Sequence, residues 1–292
     1  MIVPRPALNY PTTVGVFNVA WVRRELDAIG IPPLKRFGQH FLVDKKARDE
    51  LIDLAGLTAD DAVLEVGPGL GFLTSILASK AGHVIAIEKD RTLAAYLKGR
   101  FSNCRNVEVI QGDILTAKIP DNAKIVSSPP YNISSKLILQ ILNSRFRLAA
   151  LLMQEEFVQR LTASSGSRDY GRLTVMLQCK AEAKSVKRIS RSAFYPKPRV
   201  DSALVTIAPT KQPPIIDRTL FEDVVRVLFT QRRRKLRRVL SRYLERRYPN
   251  QSGRILQRIT VPEKRIYETS PQEFMTLSDQ IADALIEYGG AS

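Results

Sequence analysis

The sequence is poor in the residues that hold small secreted proteins and metal centres together. Its 292 residues include two cysteines, Cys104 and Cys179, and two histidines, His40 and His83. The cysteines are far apart and have no CxxC or histidine pattern, which excludes a disulfide framework and predicts core residues in a reducing compartment. No metal site is predicted. No apolar run approaches the roughly 20 residues that span a bilayer.

Acidic residues are also scarce relative to basic ones. Lysine and arginine number 45 against 29 aspartate and glutamate residues, a net charge of +16, and residues 232–247 hold nine basic residues and one acid. Like charges on neighbouring turns repel, and a polyanion such as nucleic acid would relieve that repulsion. A solvated helix face is the alternative. The candidate RNA-binding residues are Arg232, Arg233, Arg234, Lys235, Arg237 and Arg238.

The central part of the chain alternates short apolar runs with helical stretches. Strands are predicted at residues 62–65, 83–88, 107–111, 124–127 and 148–153, with helices at 72–81, 92–100, 135–143 and 155–162. Such alternation predicts parallel βαβ units, and therefore an α/β fold with a doubly wound, mostly parallel sheet.

The remaining segments predict an extension, a hairpin and a second domain. Residues 1–34 are interpreted as an N-terminal extension over the main domain, with a helix at 19–29 capped by Asn18. Stretches 174–183 and 203–208 are β-like and could form an antiparallel hairpin. Residues 211–214 predict a linker, and residues 215–292 a small, basic helical domain.

A glycine-rich loop, Gly67-Pro68-Gly69-Leu70-Gly71, follows the first strand. Its GxGxG spacing differs from the GxGxxG of dinucleotide sites, and the chain has no GxxxxGK[ST] loop. Glu88 ends the second strand, where it can accept hydrogen bonds from ribose hydroxyls, and Asp113 follows the third, where it suits an adenine amino group. Either acid alone could cap a helix. Together they predict one crevice for an adenosine ligand without phosphates, S-adenosylmethionine.

The fourth strand is followed by Ser128-Pro129-Pro130-Tyr131. An adenine amino group is a poor nucleophile because its lone pair is delocalised into the ring. Hydrogen bonds to the Pro129 carbonyl and the Ser128 side chain would favour a pyramidal nitrogen, and Tyr131 can stack on the base, worth about 1–3 kcal/mol. The remaining contribution is in-line geometry. A Pro-Pro turn before a buried tyrosine is the structural alternative.

Over about residues 35–245 the sequence resembles the ribosomal RNA small-subunit adenine dimethyltransferases. The glycine loop, Glu88 and Asp113 belong to the shared pattern. The other matching segments are Phe37-Gly38-Gln39-His40-Phe41-Leu42, Pro130-Tyr131-Asn132-Ile133-Ser134-Ser135, Phe194-Tyr195-Pro196-Lys197-Pro198-Arg199-Val200-Asp201-Ser202 and Phe229-Thr230-Gln231-Arg232-Arg233. The last two are specific to this family and its close relatives.

The resemblance implies a fold, a substrate and site residues. The fold would be a Rossmann-like class I methyltransferase with a seven-stranded sheet at 35–210 and an all-helical C-terminal domain. Tyr131 and Phe194 would sandwich an adenine flipped out of its stack, giving a catalytic set with Ser128 and Pro129. The cofactor-binding set would be His40, Leu42, Gly67, Gly69, Glu88, Asp113 and Ser128.

The implied substrate is a pair of adjacent adenines near the 3′ end of small-subunit ribosomal RNA, each methylated twice within a pre-ribosomal particle. The basic domain would hold the RNA backbone. We expect a monomer without membrane attachment, located in the cytoplasm, or in the nucleolus or an organelle of a eukaryote.

Two positions depart from the family pattern. The family usually has Asn at the position of His40 and at that of Ser128; a serine hydroxyl is shorter but still accepts a hydrogen bond. Several alternatives stay open: a non-catalytic small-subunit assembly or checkpoint factor that keeps the cofactor pocket, a large-subunit RNA or DNA adenine methyltransferase, and a transcription factor descended from this family.

Overall fold

The fold is built on a seven-stranded, mixed sheet. A computed structural model describes residues 17–30, 39–211 and 215–289. The strands are β1 Phe41–Leu42, β2 Ala62–Val66, β3 His83–Glu88, β4 Val107–Gln111, β5 Lys124–Ser127, β6 Leu148–Gln154, β7 Ala181–Ile189, β8 Phe194–Tyr195 and β9 Ser202–Pro209. The sheet order is β4-β3-β2-β5-β6-β9-β7, while β1 and β8 form a separate antiparallel pair.

Strands β2 to β6 run parallel, and β9 pairs antiparallel with β6. The predicted doubly wound, mostly parallel sheet of seven strands is therefore confirmed. The helices are α1 Val19–Ala28, α2 Lys45–Asp53, α3 Phe72–Lys80, α4 Arg91–Arg100, α5 Ser134–Leu142, α6 Glu155–Leu161, α7 Arg172–Gln178, α8 Arg218–Phe229, α9 Leu236–Arg247, α10 Ser252–Arg258 and α11 Pro271–Gly289.

The central strands are buried along most of their length because helices cover the sheet. In β6 the five residues from Ala149 to Met153 are all buried, as expected for a parallel strand with both faces covered. One core cluster joins Leu51 of α2, Leu77 of α3, Val126 of β5 and Leu152 of β6. This packing fixes the ends of the strands from which the site is built.

The N-terminal helix α1 matches its prediction closely. The Asn18 side chain accepts a hydrogen bond from the backbone N–H of Trp21, so it caps the helix as expected. Val22 and Leu26 are buried in a cluster with Phe72, which places α1 on the main domain. The predicted extension otherwise includes residues 1–16 and 31–34, which lie outside the described residues, as do 212–214 of the predicted linker and Phe37 and Gly38.

The chain divides into two compact units whose boundary differs from the predicted one. Described residues up to Val158 form one unit with Lys184–Pro209, and Gln159–Ala183 joins the residues from Thr210 onward in the other. The sequence predicts residues 159–183 as part of the sheet domain. They belong with the helices because α7 packs on α8 and α11, and the buried Tyr170 hydroxyl donates to the Thr269 carbonyl at 2.9 Å.

The strand predicted at 174–183 was wrong in its first half. Arg172–Gln178 forms α7, and the strand β7 begins only at Ala181. The run Thr174–Leu177 is buried without a break, and a short, fully buried apolar run has no periodicity that separates helix from strand. The Thr174 hydroxyl donates to the Arg160 carbonyl at 2.7 Å, a tertiary contact that favours the helix.

The second unit is helical apart from the start of β7. Helix α9 is amphipathic: Leu236, Val239, Leu240, Tyr243 and Leu244 are buried. Its opposite face carries Arg237, Arg238, Arg242 and Arg246, all exposed. Across the residues that the structure describes, no helix is both long and apolar enough to cross a membrane.

Candidate cofactor site and basic surface

A cavity lies at the carboxyl ends of the central strands. The strand order reverses between β2 and β5, and doubly wound folds bind ligands outside the strand ends at such a point. The cavity is confined to the first unit. It brings together nine of the predicted residues: His40, Leu42, Gly67, Gly69, Glu88, Asp113, Ser128, Pro129 and Tyr131.

The glycine loop needs glycine for conformation and for space. Gly67 and Gly69 have φ angles of +66° and +59°, in the left-handed region that other residues enter only at a cost. A Cβ on Gly69 would lie 2.9 Å from Phe41 Cε1, and one on Gly67 would lie 3.1 Å from Pro130 Cδ. Side chains at these positions would therefore strain the loop and crowd the cavity.

Glu88 is a buried carboxylate held by backbone donors. It is 7% exposed; Oε2 accepts from the Gly69 N–H at 3.1 Å and Oε1 from the Asp90 N–H at 2.9 Å. Burial raises the pKa of Glu88, and these two hydrogen bonds oppose that shift. The carboxylate is thus fixed at the cavity wall with lone pairs left to accept from a ligand hydroxyl.

Asp113 occupies the equivalent place after β4. A hydrogen bond from Lys89, 2.8 Å from Oδ2, holds the pKa of Asp113 below its usual value, and the Leu115 N–H donates to Oδ1 at 3.0 Å. Each carboxylate oxygen can accept a second hydrogen bond. Asp113 therefore stays charged and can still accept from a ligand amino group.

Glu65 also lines the cavity, and it is not among the site residues predicted from the sequence. It is 2% exposed and accepts a hydrogen bond from the Thr74 hydroxyl at 2.6 Å. Burial raises the pKa of Glu65 to about 8, and the nearby Glu88 adds to the shift. Its position just before the glycine loop is the feature of the sequence that could have identified it as a cavity residue.

The end of β5 presents hydrogen-bond acceptors to the cavity. The Ser127 hydroxyl donates to the Val66 carbonyl at 2.6 Å, which ties β5 to β2 immediately before the next residue, Ser128. Among the described residues, none is hydrogen-bonded to the Ser128 hydroxyl or the Pro129 carbonyl, and both residues line the cavity. Both groups are therefore available to a ligand amino group.

Tyr131 is held by two neighbours. Its hydroxyl is 2.6 Å from the Oγ of Ser202, which is fully buried. Burial raises the pKa of Tyr131 to about 12, so the phenol is neutral at ordinary pH and is not a base. His40 stacks on it with ring centroids 5.9 Å apart and donates from Nδ1 to the Pro196 carbonyl at 2.6 Å. Ser202 lies in the resembling segment, but its contact was not foreseen.

The structure does not bring Phe194 to the cavity. Phe194 is 4% exposed, pairs with Leu42 between β8 and β1, and belongs to the apolar core. Phe194 is not among the described residues that line the cavity. Its predicted stacking on an adenine is therefore not available in this arrangement, because neighbouring core side chains cover the ring.

The basic residues predicted to bind RNA differ in their contacts. Arg232 is half-buried and donates to the carbonyls of Ser167 and Arg168 at 3.0–3.2 Å, so it joins two segments of its own unit. The predicted RNA-binding role does not fit this residue, because its guanidinium already donates hydrogen bonds to acceptors of the protein. Among the described residues, the Lys235 ammonium donates one long hydrogen bond, 3.5 Å, to the Glu263 carbonyl.

Six other arginines, on α9 and just before it, form an exposed surface. Within the second unit as described, no carboxylate forms an ion pair with them. We call this set the basic surface: Arg233, Arg234, Arg237, Arg238, Arg242 and Arg246.

Known proteins resemble this chain over most of its length. A 40% identical relative, over 262 residues, is a probable ribosomal RNA small subunit methyltransferase A from Pyrococcus abyssi, covering 88% of this chain and 95% of the relative. A dimethyladenosine transferase from Plasmodium falciparum has a TM-score of 0.74 at 28% identity, covering 86% of this chain and 98% of that one. The 23S rRNA methyltransferase ErmE has a TM-score of 0.63 at 30% identity, covering 83% and 99%.

The family comparison agrees with the geometry of the cavity. The ribosomal RNA adenine dimethylase family matches residues 34–286, which include the glycine loop, the end of β5 and the basic surface. The resemblance expected from the motifs is thereby confirmed, and the chain belongs to the ribosomal RNA adenine dimethylase family.

Proposed function

We propose that this chain transfers methyl groups from S-adenosylmethionine to N6 of two adjacent adenines near the 3′ end of small-subunit ribosomal RNA. One observation carries the proposal: the unpartnered acceptors Ser128 and Pro129 line the same cavity as Glu88 and Asp113. A site for adenosine and a site for an amino group are therefore adjacent. The name of the Pyrococcus abyssi relative supports the small subunit as the target.

The cavity residues fit the cofactor. Gly67 and Gly69 leave space that a Cβ would fill, Glu88 suits the ribose hydroxyls, and Asp113 suits the adenine amino group. Buried Ile87 and Ile114 line the same cavity and offer apolar contact to a purine ring. When bound, S-adenosylmethionine supplies an electrophilic methyl carbon.

The end of β5 would prepare the acceptor nitrogen. The Pro129 carbonyl and the Ser128 hydroxyl each accept one amino hydrogen, which weakens conjugation of the nitrogen lone pair with the ring. Tyr131 supplies a neutral ring for stacking, held by Ser202. The main contribution to the rate is proximity, because the site holds the nitrogen in an oriented position instead of leaving it to diffuse. The serine side chain at position 128 is shorter than an amide side chain. The Pro129 carbonyl therefore contributes more to holding the amino group than it would beside an amide.

The basic surface would hold the RNA so that a target adenine can leave its stack. Phosphate contacts contribute affinity and position, and they read little sequence. Among the described residues of this unit, no carboxylate forms an ion pair with the six arginines of the basic surface. The pre-ribosomal context, the monomeric state and the cytoplasmic location remain predictions.

The direct test is methyl transfer from labelled S-adenosylmethionine to unmodified small subunits, followed by nucleoside analysis of the RNA. We expect dimethyladenosine near the 3′ end. Large subunits and adenine-containing DNA serve as parallel substrates, because preference for either would favour the corresponding alternative enzyme.

Two variants at position 128 sharpen this test. Ser128→Asn restores the family's usual residue and should retain or increase turnover, while Ser128→Ala should reduce it by about 2–10-fold, the value of one hydrogen bond. Tight binding of subunits and cofactor by the parent protein without transfer would instead support an assembly factor.

A further inference from the structure

Arg48 is a buried cation that has no hydrogen-bonding partner among the described residues. It lies on α2, is 3% exposed, and its Nε and Nη1 atoms have neither solvent contact nor an acceptor. Burial lowers the pKa of Arg48. An unpaired buried charge is costly and native structures rarely keep one without a reason. The site described above does not use this residue.

The acids on the same helix are already engaged. Asp44 caps α2 by accepting from the Ala47 N–H at 2.7 Å, and Asp49 pairs with Lys45 at 2.5 Å. The guanidinium lies over the ring of Phe17, 5.2 Å from its centroid, which compensates part of the charge. Such a contact leaves the N–H donors unsatisfied.

Arg48 lines the cavity together with Phe72 and Leu73, the first two residues of α3. Its aromatic neighbour Phe17 packs on Phe72, the first residue of α3, with ring centroids 4.6 Å apart, and Leu73 also lines the cavity. The N-cap of α3 is Gly71, which offers no capping side chain. The first N–H groups of the helix are therefore open, and with the helix dipole they favour an anion.

The cavity acids occupy other positions. Glu65 accepts from the Thr74 hydroxyl, Glu88 accepts from the Gly69 and Asp90 N–H groups, and Asp113 pairs with Lys89. Among the described residues no carboxylate pairs with Arg48. An anion beside Arg48 would therefore come from a ligand.

We propose that Arg48 binds the carboxylate of the amino-acid portion of S-adenosylmethionine. The inference rests on the proposed function, because that cofactor is its ligand. With adenosine held by Glu88 and Asp113 at the ends of β3 and β4, the other end of the molecule extends toward the glycine loop and α3. A guanidinium binds a carboxylate with two parallel hydrogen bonds. An RNA phosphate fits less well, because Arg48 is enclosed whereas the basic surface is exposed.

The test compares two ligands that differ in the carboxylate alone: S-adenosylmethionine and decarboxylated S-adenosylmethionine. Calorimetry on Arg48→Met should show about 10–100-fold weaker binding of the first ligand, the value of a charge-assisted pair. Binding of the second should change by less than about threefold. Arg100→Met is the matched control, since Arg100 lies over Trp21 and Phe101 but does not line the cavity. It should leave the preference between the ligands unchanged.

The outcomes separate this inference from the proposed function. Parent protein that binds neither ligand would contradict the proposed function. Parent protein that binds both, with equal losses or no loss in Arg48→Met, would show that Arg48 only packs. An effect on RNA affinity with an unchanged ligand preference would also overturn the inference, in favour of a phosphate contact.

Folding of the variant is checked independently. Replacing an unpaired buried charge by methionine should maintain or raise the melting temperature without ligand, and should reduce the increase that S-adenosylmethionine produces. If Arg48→Met does not fold, Arg48→Lys serves the same comparison: it keeps the charge but loses the bidentate geometry. We then expect a smaller loss, still confined to the ligand that has the carboxylate.

Discussion

The two ends of the parallel sheet differ in whether their polar and charged groups have partners within the protein. At the amino ends, Asp61 precedes β2 and accepts from Lys124 at 2.9 Å, Arg147 at 3.0 Å and the Thr58 N–H at 2.7 Å. Burial alone would raise the pKa of Asp61, but the hydrogen bonds from Lys124 and Thr58 outweigh it and lower the pKa. Asp61, Lys124 and Arg147 therefore satisfy one another.

The carboxyl ends leave groups open instead. The Ser128 hydroxyl, the Pro129 carbonyl and two nitrogens of Arg48 have no partner among the described residues. Polar groups that are satisfied internally stabilise the fold, whereas polar groups left unsatisfied at a cavity favour a ligand. Substitutions at the amino ends should therefore reduce stability, and those at the carboxyl ends should reduce binding or turnover.

The largest effect is expected at the carboxyl ends. Tyr131→Ala removes the stacking ring, worth about 1–3 kcal/mol, and loosens the position of the base. We expect a loss of turnover of about 1,000-fold or more, with the cofactor dissociation constant nearly unchanged, measured by methyl transfer and calorimetry. Turnover at the parent rate would remove Tyr131 from the site.

The amino ends should show the reverse pattern. Asp61→Ala leaves Lys124 buried without its carboxylate, which should lower the free energy of unfolding by about 3–5 kcal/mol. Cofactor affinity of the folded fraction should stay close to that of the parent protein. Asp121→Ala is the control, because Asp121 and Arg145 form an exposed pair 4.0 Å apart and should change stability little. Both are measured by denaturant unfolding.

The basic surface extends the comparison to charges that have no partner and are fully solvated. Changing Arg233, Arg234, Arg237 and Arg238 to glutamine should weaken RNA binding and flatten its salt dependence by about 0.7–0.9 per lost phosphate contact. Arg258→Gln is the control, since Arg258 already pairs with Glu287 at 3.3 Å. An unchanged salt slope would mean that this face is merely solvated.

Arg232 should behave differently from its neighbours in the sequence. Arg232→Gln should lower the melting temperature, because the carbonyls of Ser167 and Arg168 lose their donor. It should change the salt slope of RNA binding less than any single substitution on the basic surface. The reverse result would return Arg232 to the RNA-binding residues.

The contribution of Glu65 to stability should depend on pH. Its pKa is raised to about 8, so the folded state binds the proton more tightly than the unfolded state does. That contribution to stability is complete below the ordinary pKa and is lost as pH rises through about 8. Glu65→Gln removes this dependence, and its melting temperature should improve relative to the parent between pH 5 and 8. A constant difference across the series would contradict the assignment.

The smallest effect is expected at Ser202. Ser202→Ala removes one hydrogen bond to Tyr131 and should reduce kcat by about 2–10-fold, with the KM for cofactor unchanged. Tyr131→Phe should cause a similar loss. The double variant should lose no more than either single one, because both remove the same contact. Additive losses would place Ser202 in a separate role.

Strand periodicity and strand ends account for what the sequence predicted correctly. The middles of β5 and β3, Ile125-Val126 and Val84–Ile87, are apolar because both faces of a parallel strand are covered. Once these strands are placed, Glu88, Asp113 and Ser128 must share one edge of the sheet. The cavity could therefore be predicted without knowing any contact between side chains.

Contacts between distant segments were not visible in the same way. Arg48 stands in Lys45-Lys46-Ala47-Arg48-Asp49, a polar stretch typical of an exposed helix. It is buried only because α2 is covered around Phe17 and the cavity. Phe194 matched a family motif, yet its exposure depends on the pairing of β8 with β1.

The sequence by itself determined the succession of strands β2 to β6 and the helices between them, the glycine loop, the residues at the strand ends and the concentration of positive charge, because these follow from local conformation and periodicity. Only the tertiary structure decided which charges are buried, paired or free. Arg232 and Arg233 are adjacent and chemically identical, but one donates to Ser167 and Arg168 while the other is exposed. The physical reason is that solvation and pairing depend on neighbours that folding brings from elsewhere in the chain.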